Sequence, residues 1–247
     1  MTISISCVET IQHEKAIYAI EKTLKCLDVS KVYWFSNIPF PKEVGCEVVN
    51  IRIAPFLRGK KFHEAYSYLT LDLMPEIVDT DYNLIVQHDG FALNKAAWNK
   101  SFLDYDYIGA EVSVWFHDRK MIGNGGFSLR SKKLYQAIKS IGMKYHFDDL
   151  LVEQFEPIFL LQNLKYKPHI RGFAEDYIIC VMYRERLKDE YGIKFAPVEI
   201  ANQFSTGDSF KITDVNEWAK LNKSFGFHGI DIQKLYHSIF YSLLNNE

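Results

Sequence analysis

The feature that most constrains the fold is the order of hydrophobic periodicities in the first 90 residues. "ISISCV", residues 3 to 8, alternates with period two. "VETIQHEKAIYAIEKTLKCL" then changes to helical spacing, with Ile17, Ile20, Leu24 and Leu27 recurring at three and four. "KVYWFSN" is a second strand pattern, ended by Asn37 and the Pro39 and Pro41 punctuation, and "CEVVNIRI" is a third. "KKFHEAYSYLTLDLM" is helical through Phe62, Tyr66, Leu69 and Leu73 and stops at Pro75; "YNLIVQHDG" is a fourth strand. Strand, helix, strand, strand, helix, strand predicts an α/β fold with a mostly parallel central sheet flanked by helices. In such sheets ligands sit beyond the carboxyl ends of the strands, and Asp89 stands at one of those ends.

The second half is less regular. "DYDYIGAEV" reads as a strand, "MIGNGGFSLRS" as a glycine-rich turn into a strand, and "KKLYQAIKSI" as a helix. "FDDLLVEQFEPIFLLQNL" reads as a helix kinked at Pro157, and "AEDYIICVMYRERLKDEYG" as a helix with an acidic start and Gly192 after its end. "IDIQKLYHSIFYSLL" is an amphipathic helix; a peripheral membrane contact is the alternative to core packing, but only Lys234 supplies positive charge, so core packing is favoured. No repeat and no linker rich in Pro, Gly or Ser divides the 247 residues, so one domain is expected over 1–247.

Composition excludes several classes. The 29 Lys+Arg against 31 Asp+Glu, a formal net charge of −2, leave no basic field for nucleic acid. Cys7, Cys26, Cys46 and Cys180 form no CxxC pair and read as reduced, buried thiols. The first residues carry no basic segment followed by a long apolar run, and no stretch approaches the roughly 18 apolar residues of a spanning helix. A soluble cytoplasmic protein is expected. The eight histidines include no HExxH, so nothing points to a metallohydrolase of that kind.

Four short stretches carry candidate chemistry. In "NLIVQHDGF", alternation puts Gln87 and Asp89 on one side of the strand and His88 on the other, and Gly90 lets the backbone turn without a side chain blocking a ligand. Asp89 there could hold a divalent cation that grips a diphosphate; equally, Asp-Gly is a common turn pair, and both readings stand. "GNGGFSLRS", residues 123 to 131, has a backbone that must pass close to something, and Asn124-Gly125 alone would justify a hairpin turn. Glu175 and Asp176 open a helix, where acids are favoured by the free N–H groups; a carboxylate fixed there could also take a proton from an attacking hydroxyl. His228 lies between Gly226 and Gly229, and beside Asp89 it would complete a mixed nitrogen and oxygen metal site.

Their order resembles the GT-A class of nucleotide-sugar glycosyltransferases: a D-x-D-type metal motif, a glycine loop, an x-E-D motif and a late histidine. More closely, "LIVQHDGF", "DYIGA", "GNGGFSLRS", "EDYIIC", "IKFAPVEIANQFS" and "FGFHG" resemble a bacterial family known only as a domain of unknown function and placed near those transferases. The likeness spans roughly residues 3 to 230. It implies a GT-A-like single domain, with residues 1–90 as the nucleotide-binding half and 91–247 as the acceptor and catalytic half. It implies Asp89 and His228 as ligands of Mn²⁺ or Mg²⁺, although Gln87 occupies the place of the first acid. Gly125, Gly126 and Phe127 match the loop lining donor and acceptor, with Gln87 and His88 beside it. Asp176 matches the general base and Glu175 its acceptor-binding neighbour; Thr10 and Lys61 fall where such enzymes seat the nucleoside. Trp115, Phe116 and Phe127 are candidates for stacking on sugar rings.

The implied activity is inverting, metal-assisted transfer from a nucleotide sugar, UDP-linked, to a hydroxyl of a cell-surface glycan, placing the protein in polysaccharide biosynthesis. A nucleotidyl- or phosphotransferase on the same scaffold and a non-catalytic glycan- or nucleotide-binding module are the alternatives.

Overall fold

Ile3–Val8 forms strand β1, and its alternation has an unexpected cause, because both of its faces are buried. Ile5 and Cys7 pack into the apolar core. On the other face the hydroxyls of Ser4 and Ser6 donate to Asn83 Oδ1 at 3.0 and 2.9 Å, and Asn83 Nδ2 donates to the Tyr135 hydroxyl at 2.7 Å. The period-two pattern therefore separates an apolar layer from a fully hydrogen-bonded polar one. The structure is a computed structural model and describes residues 1–53, 65–113, 120–143, 174–207 and 223–229.

Helix α1 (His13–Cys26) starts later than the pattern suggested, because Glu9 intervenes. Its Oε1 accepts from the backbone N–H groups of Thr10, Ile11 and Gln12 at 2.9, 2.8 and 2.9 Å, which ties down the turn leading into the helix. Strands β2 (Lys31–Ser36) and β3 (Glu47–Arg52) follow. Residues 65–77 are helical, with Leu69–Leu73 wound as a π turn before the short helix α2 (Met74–Ile77). Pro75 does not stop this helix. It falls in the first turn of the new segment, where a missing N–H is tolerated.

Strand β4 (Tyr82–Ile85) is shorter than the apolar run predicted. After Val86 the chain makes a tight reversal: Gln87 and Gly90 exchange both backbone hydrogen bonds at 3.0 Å across His88 and Asp89, and β5 (Gly90–Ala92) departs from it. The stretch "NKAAW" that follows holds a 3-10 turn, Lys95–Ala97, capped by the Asn94 side chain. Strands β6 (Tyr107–Ser113) and β7 (Lys120–Ser131) come next, then α3 (Lys132–Ile141), capped by Ser131 and closed by Gly142 at φ 70°. The acidic segment opens as α4 (Glu175–Tyr177), continues as a π turn over Ile178–Met182, breaks at Tyr183 and resumes as α5 (Arg184–Tyr191). The single helix expected there is thus two segments of different winding. Helix α6 (Val198–Phe204) and strands β8 (Ser205–Thr206) and β9 (Gly226–His228) complete the described chain.

Among the described residues six strands form the main sheet in the order β3-β2-β1-β4-β7-β6. Strands β3, β2, β1, β4 and β6 run one way and β7 runs against them. The predicted mixed α/β architecture with a mostly parallel sheet is what the chain adopts. A small second sheet, β5-β9-β8, is locked below by aromatics: Phe91 on Phe227 with centroids 4.7 Å apart, and Phe127 stacked on Phe204 at 5.1 Å. Burying such rings accounts for much of the packing energy here. No helix among the described residues is long and apolar enough to cross a membrane. The expected helices at 147–164 and 230–244 lie outside the described residues, as does the first part of the one at 60–74.

Candidate functional site

The site is built on a bulge, where a simple hairpin turn was expected. On β6, Gly109 and Ala110 are neighbours, yet their partners on β7 are Ser128 and Asn124. Residues 125–127 are therefore looped out of the ladder, a device common beside active sites. The bulge lies level with the end of β4, whose Ile85 pairs with Ser128.

Gly126 faces one way. A Cβ built on it would lie 2.0 Å from His228 Nε2 and 2.6 Å from Gln87 Oε1, so no other residue fits without displacement. His228 reaches this point because β9 pairs with β5 in the register Gly90↔His228, with Gly229 N–H bonded to the Asp89 carbonyl at 2.9 Å. His228 Nε2 is 2.9 Å from Gln87 Oε1 and 3.5 Å from Asp89 Oδ1. Gly90 is required here by the histidine: its Cβ would meet the His228 ring at 2.7 Å. Burial pushes the Asp89 carboxyl up, but the His228 contact and charge outweigh it and hold the group below its ordinary value.

His88 points to the other side of the reversal. Its Nδ1 is 3.0 Å from Glu9 Oε2 and its Nε2 is 3.0 Å from Gln12 Nε2, so it fastens the turn to the start of α1. The Glu9 carboxyl is raised by burial and lowered more strongly by His88 and the Gln12 and Ile11 N–H groups, ending below its ordinary value.

Gly125 faces the opposite way. Its N–H donates to Asp176 Oδ2 at 2.9 Å, and a Cβ on it would lie 2.1 Å from Glu175 Oε1. Two adjacent glycines thus divide two clusters, Gln87–Asp89–His228 on one side and Glu175–Asp176 on the other. Burial first, and the charge of Glu175 second, push the Asp176 carboxyl up to about 7, where it exchanges protons near neutrality. Glu175 itself is buried and ion-paired with the fully buried Arg130, Nη2 to Oε1 at 2.9 Å.

The remaining candidates are distributed as follows. Thr10 is buried at the end of β1, on the same sheet edge. Phe127 does not face a cleft: its ring is fully buried, stacked on Phe204 and overlain by Gly226, so it packs the core. Lys61, Trp115 and Phe116 lie outside the described residues. Sequence reading missed Arg130 and Glu9, two charges placed at a strand's core and at a strand's end. It also missed a cavity of about 430 Å³ at the ends of β2 and β3, lined by Ser36, Asn37, Ile38, Pro39, Asn50 and Arg52 among others.

Among the described residues no three His, Cys, Asp or Glu side chains are grouped to hold a metal ion. The donors available are one carboxylate, one imidazole and the neutral Gln87 oxygen. Asp89 Oδ1 is buried and without a good hydrogen bond among the described residues; His228 Nε2 stands 3.5 Å from it. Such a set fits a Mg²⁺-like ion that takes its other ligands from water and substrate oxygens, and does not fit a closed all-protein cage.

Residues 51 to 228 match the family described as "Protein of unknown function (DUF5672)". The match spans more than half of the sequence. The chain belongs to the DUF5672 family. No protein of curated function matches it. Among solved structures, this DUF5672 chain is similar to a glycosyltransferase involved in the glycosylation of the major capsid of PBCV-1, at 10% identity over 93% of each chain with a TM-score of 0.50. It is also similar to galactosyltransferase LgtC, at 12% identity over 92% of this chain and 87% of that one, TM-score 0.48. A further match is glycosyltransferase GlyE of Streptococcus pneumoniae TIGR4, at 13% identity over 92% of this chain and 54% of that one, TM-score 0.47. The first of these likenesses gives this DUF5672 member the fold of a glycosyltransferase.

Proposed function

We propose that the protein transfers a sugar from a nucleotide-sugar donor, UDP-linked, to a hydroxyl of a cell-surface glycan, with inversion at the anomeric carbon. The observation that carries this reading is the meeting of Asp89, Gln87 and His228 with Glu175 and Asp176 on the two sides of one glycine bulge.

In this reading Asp176 accepts the proton of the acceptor hydroxyl as its oxygen attacks the anomeric carbon. The bond from that carbon to the diphosphate oxygen breaks, and the nucleoside diphosphate leaves on the Asp89 side. A carboxylate that exchanges its proton near pH 7 suits general base work at neutral pH. The Gly125 N–H fixes one oxygen of Asp176 and leaves the group aimed. Asp89, His228 and the Gln87 oxygen would hold Mn²⁺ or Mg²⁺, which when bound offsets charge building on the departing diphosphate. The nucleoside would run along the sheet edge past Thr10 toward the cavity at β2 and β3. From β4 to β3 is three strand spacings, about 14 Å at ~4.8 Å each, within reach of an extended nucleoside diphosphate.

The test is a thermal-shift screen of nucleoside diphosphates and nucleotide sugars with and without Mn²⁺, followed by assay of nucleoside diphosphate release. Failure to bind or hydrolyse any of them removes the proposal. Release of pyrophosphate instead would make the protein a nucleotidyltransferase. The neutral Gln87 in the place of an acid favours one competing reading, a non-catalytic nucleotide- or glycan-binding module. That reading gains if Asp176→Asn changes no activity while Asp89→Ala abolishes binding.

A further inference from the structure

The proposed reaction leaves a fully buried guanidinium unused. Arg130 lies on β7 between β4 and β6, paired with Asn83 and Tyr107, and is fully buried. Its Nη2 donates to Glu175 Oε1 at 2.9 Å and to the Gly125 carbonyl at 3.4 Å. Its Nε donates to Ser128 Oγ at 3.1 Å, and that hydroxyl donates to the same Gly125 carbonyl at 2.9 Å. The guanidinium carbon stands 5.6 Å from the centre of the Tyr107 ring. One side chain thus grips both ends of the bulge and the acid next to Asp176.

We propose that Arg130 is the positioning residue for Asp176: it locks the glycine bulge to the helix that carries the acids, and sets a fixed positive charge against Glu175, the carboxyl beside Asp176. The proposal rests on the reading of Asp176 as the base. The physical need is plain. Glu175, buried, and Asp176, half-buried, are consecutive carboxyls, and without a cation such a pair retains one proton between them, as coupled groups do. Arg130 supplies that cation permanently, in a planar fork that also reaches a carbonyl and a hydroxyl; the single ammonium of a lysine would not serve all three.

The other groups acting on Asp176 do not compete for this role. Tyr107 on β6 and Cys180 on the π turn face it, and burial pushes the proton affinity of each far above neutrality, so both stay uncharged. Glu175 on the same turn and Arg130 from β7 are the charges that count.

The experiment is carboxyl carbon-13 NMR titration of the full chain labelled at Asp and Glu, with Asp176→Asn to assign the signal. Arg130→Met is expected to raise the upper midpoint of the Glu175–Asp176 pair by about one pH unit or more, tenfold in proton affinity. Arg130→Lys should restore part of that shift, and Arg130→Met with Glu175→Gln should bring Asp176 back to or below its starting midpoint. If Arg130→Met does not fold, Glu175→Gln alone and the double variant provide the comparison: Asp176 should titrate about one unit lower where Arg130 is present. Identical midpoints in either comparison overturn the proposal. Titrations that behave as expected in a protein that transfers no sugar retain Arg130 as the setter of this pair and remove the transferase reading. Transfer activity with unmoved midpoints does the reverse.

Discussion

Gly126 and His228 are in such close contact that the bulge admits no side chain at 126: an added Cβ would stand 2.0 Å from Nε2. Gly126→Ala is therefore expected to push the imidazole away from Asp89 and Gln87 while leaving the sheet intact. A displacement of about 1 Å at a reacting group costs on the order of a hundredfold in rate. Transfer activity together with far-UV circular dichroism checks this; activity within twofold of the parent would show that His228 has no part in the chemistry.

The Asp176 carboxyl has a direct signature in pH. A base with a pKa raised from 3.8 to about 7 makes the rate climb through neutrality and level off above it. Asp176→Asn should remove that limb and lower the rate by roughly a hundredfold or more. Stability runs the other way. A carboxyl that holds its proton more tightly when folded contributes most below the unfolded value, and that contribution is lost as pH rises through about 7. Urea midpoints at pH 5 and pH 8 should therefore fall more in the parent than in Asp176→Asn, and equal falls would count against the assignment.

Gln87 offers a gain-of-function test. Its Oε1 already meets His228 Nε2 at 2.9 Å, and Glu at this position keeps the length while adding a charge. Since charge count tunes hard-cation affinity, Gln87→Glu should bind Mn²⁺ about tenfold more tightly. Electron paramagnetic resonance of free Mn²⁺ reads this directly; unchanged binding would place the ion elsewhere.

Glu9 is expected to matter for folding more than for turnover. It accepts from three backbone N–H groups at the head of α1 and contacts His88 through its other oxygen. Glu9→Ala should cost about 2 kcal/mol, a fall in Tm of roughly 4–8 °C in a chain of this size. Because its carboxyl sits below the ordinary 4.5, its contribution is present above that value and lost as pH falls through it. Differential scanning calorimetry should find parent and variant converging in acid, and a constant gap would refute the linkage.

How far the sequence could be read depended on the range of the interactions involved. Strands β1 to β4 were legible because each alternates or runs apolar within its own few residues. The acids at 175 and 176 and the late histidine were legible as a motif order, through a resemblance. The glycine run at 123–126 was misread as a turn because turns and bulges use the same residue, and what separates them is pairing with β6 and β4. The break at Tyr183 was invisible because no Gly or Pro marks it in "IICVMYRER". Arg130 looked like any charge at a strand's end; its partner lies 45 residues downstream.

Ser128 is held against Gly109, Asn124 against Ala110, and Leu129 against Leu84, so the looped-out residues are tethered at both margins. Deleting or inserting one residue there would turn either Asn124 or Arg130 to the wrong side of its strand, since side chains alternate with every step. Evolution and protein engineers alike can exchange side chains around this pocket, but the number of residues between its two anchors is a dimension of the molecule, as fixed as the spacing of the strands themselves.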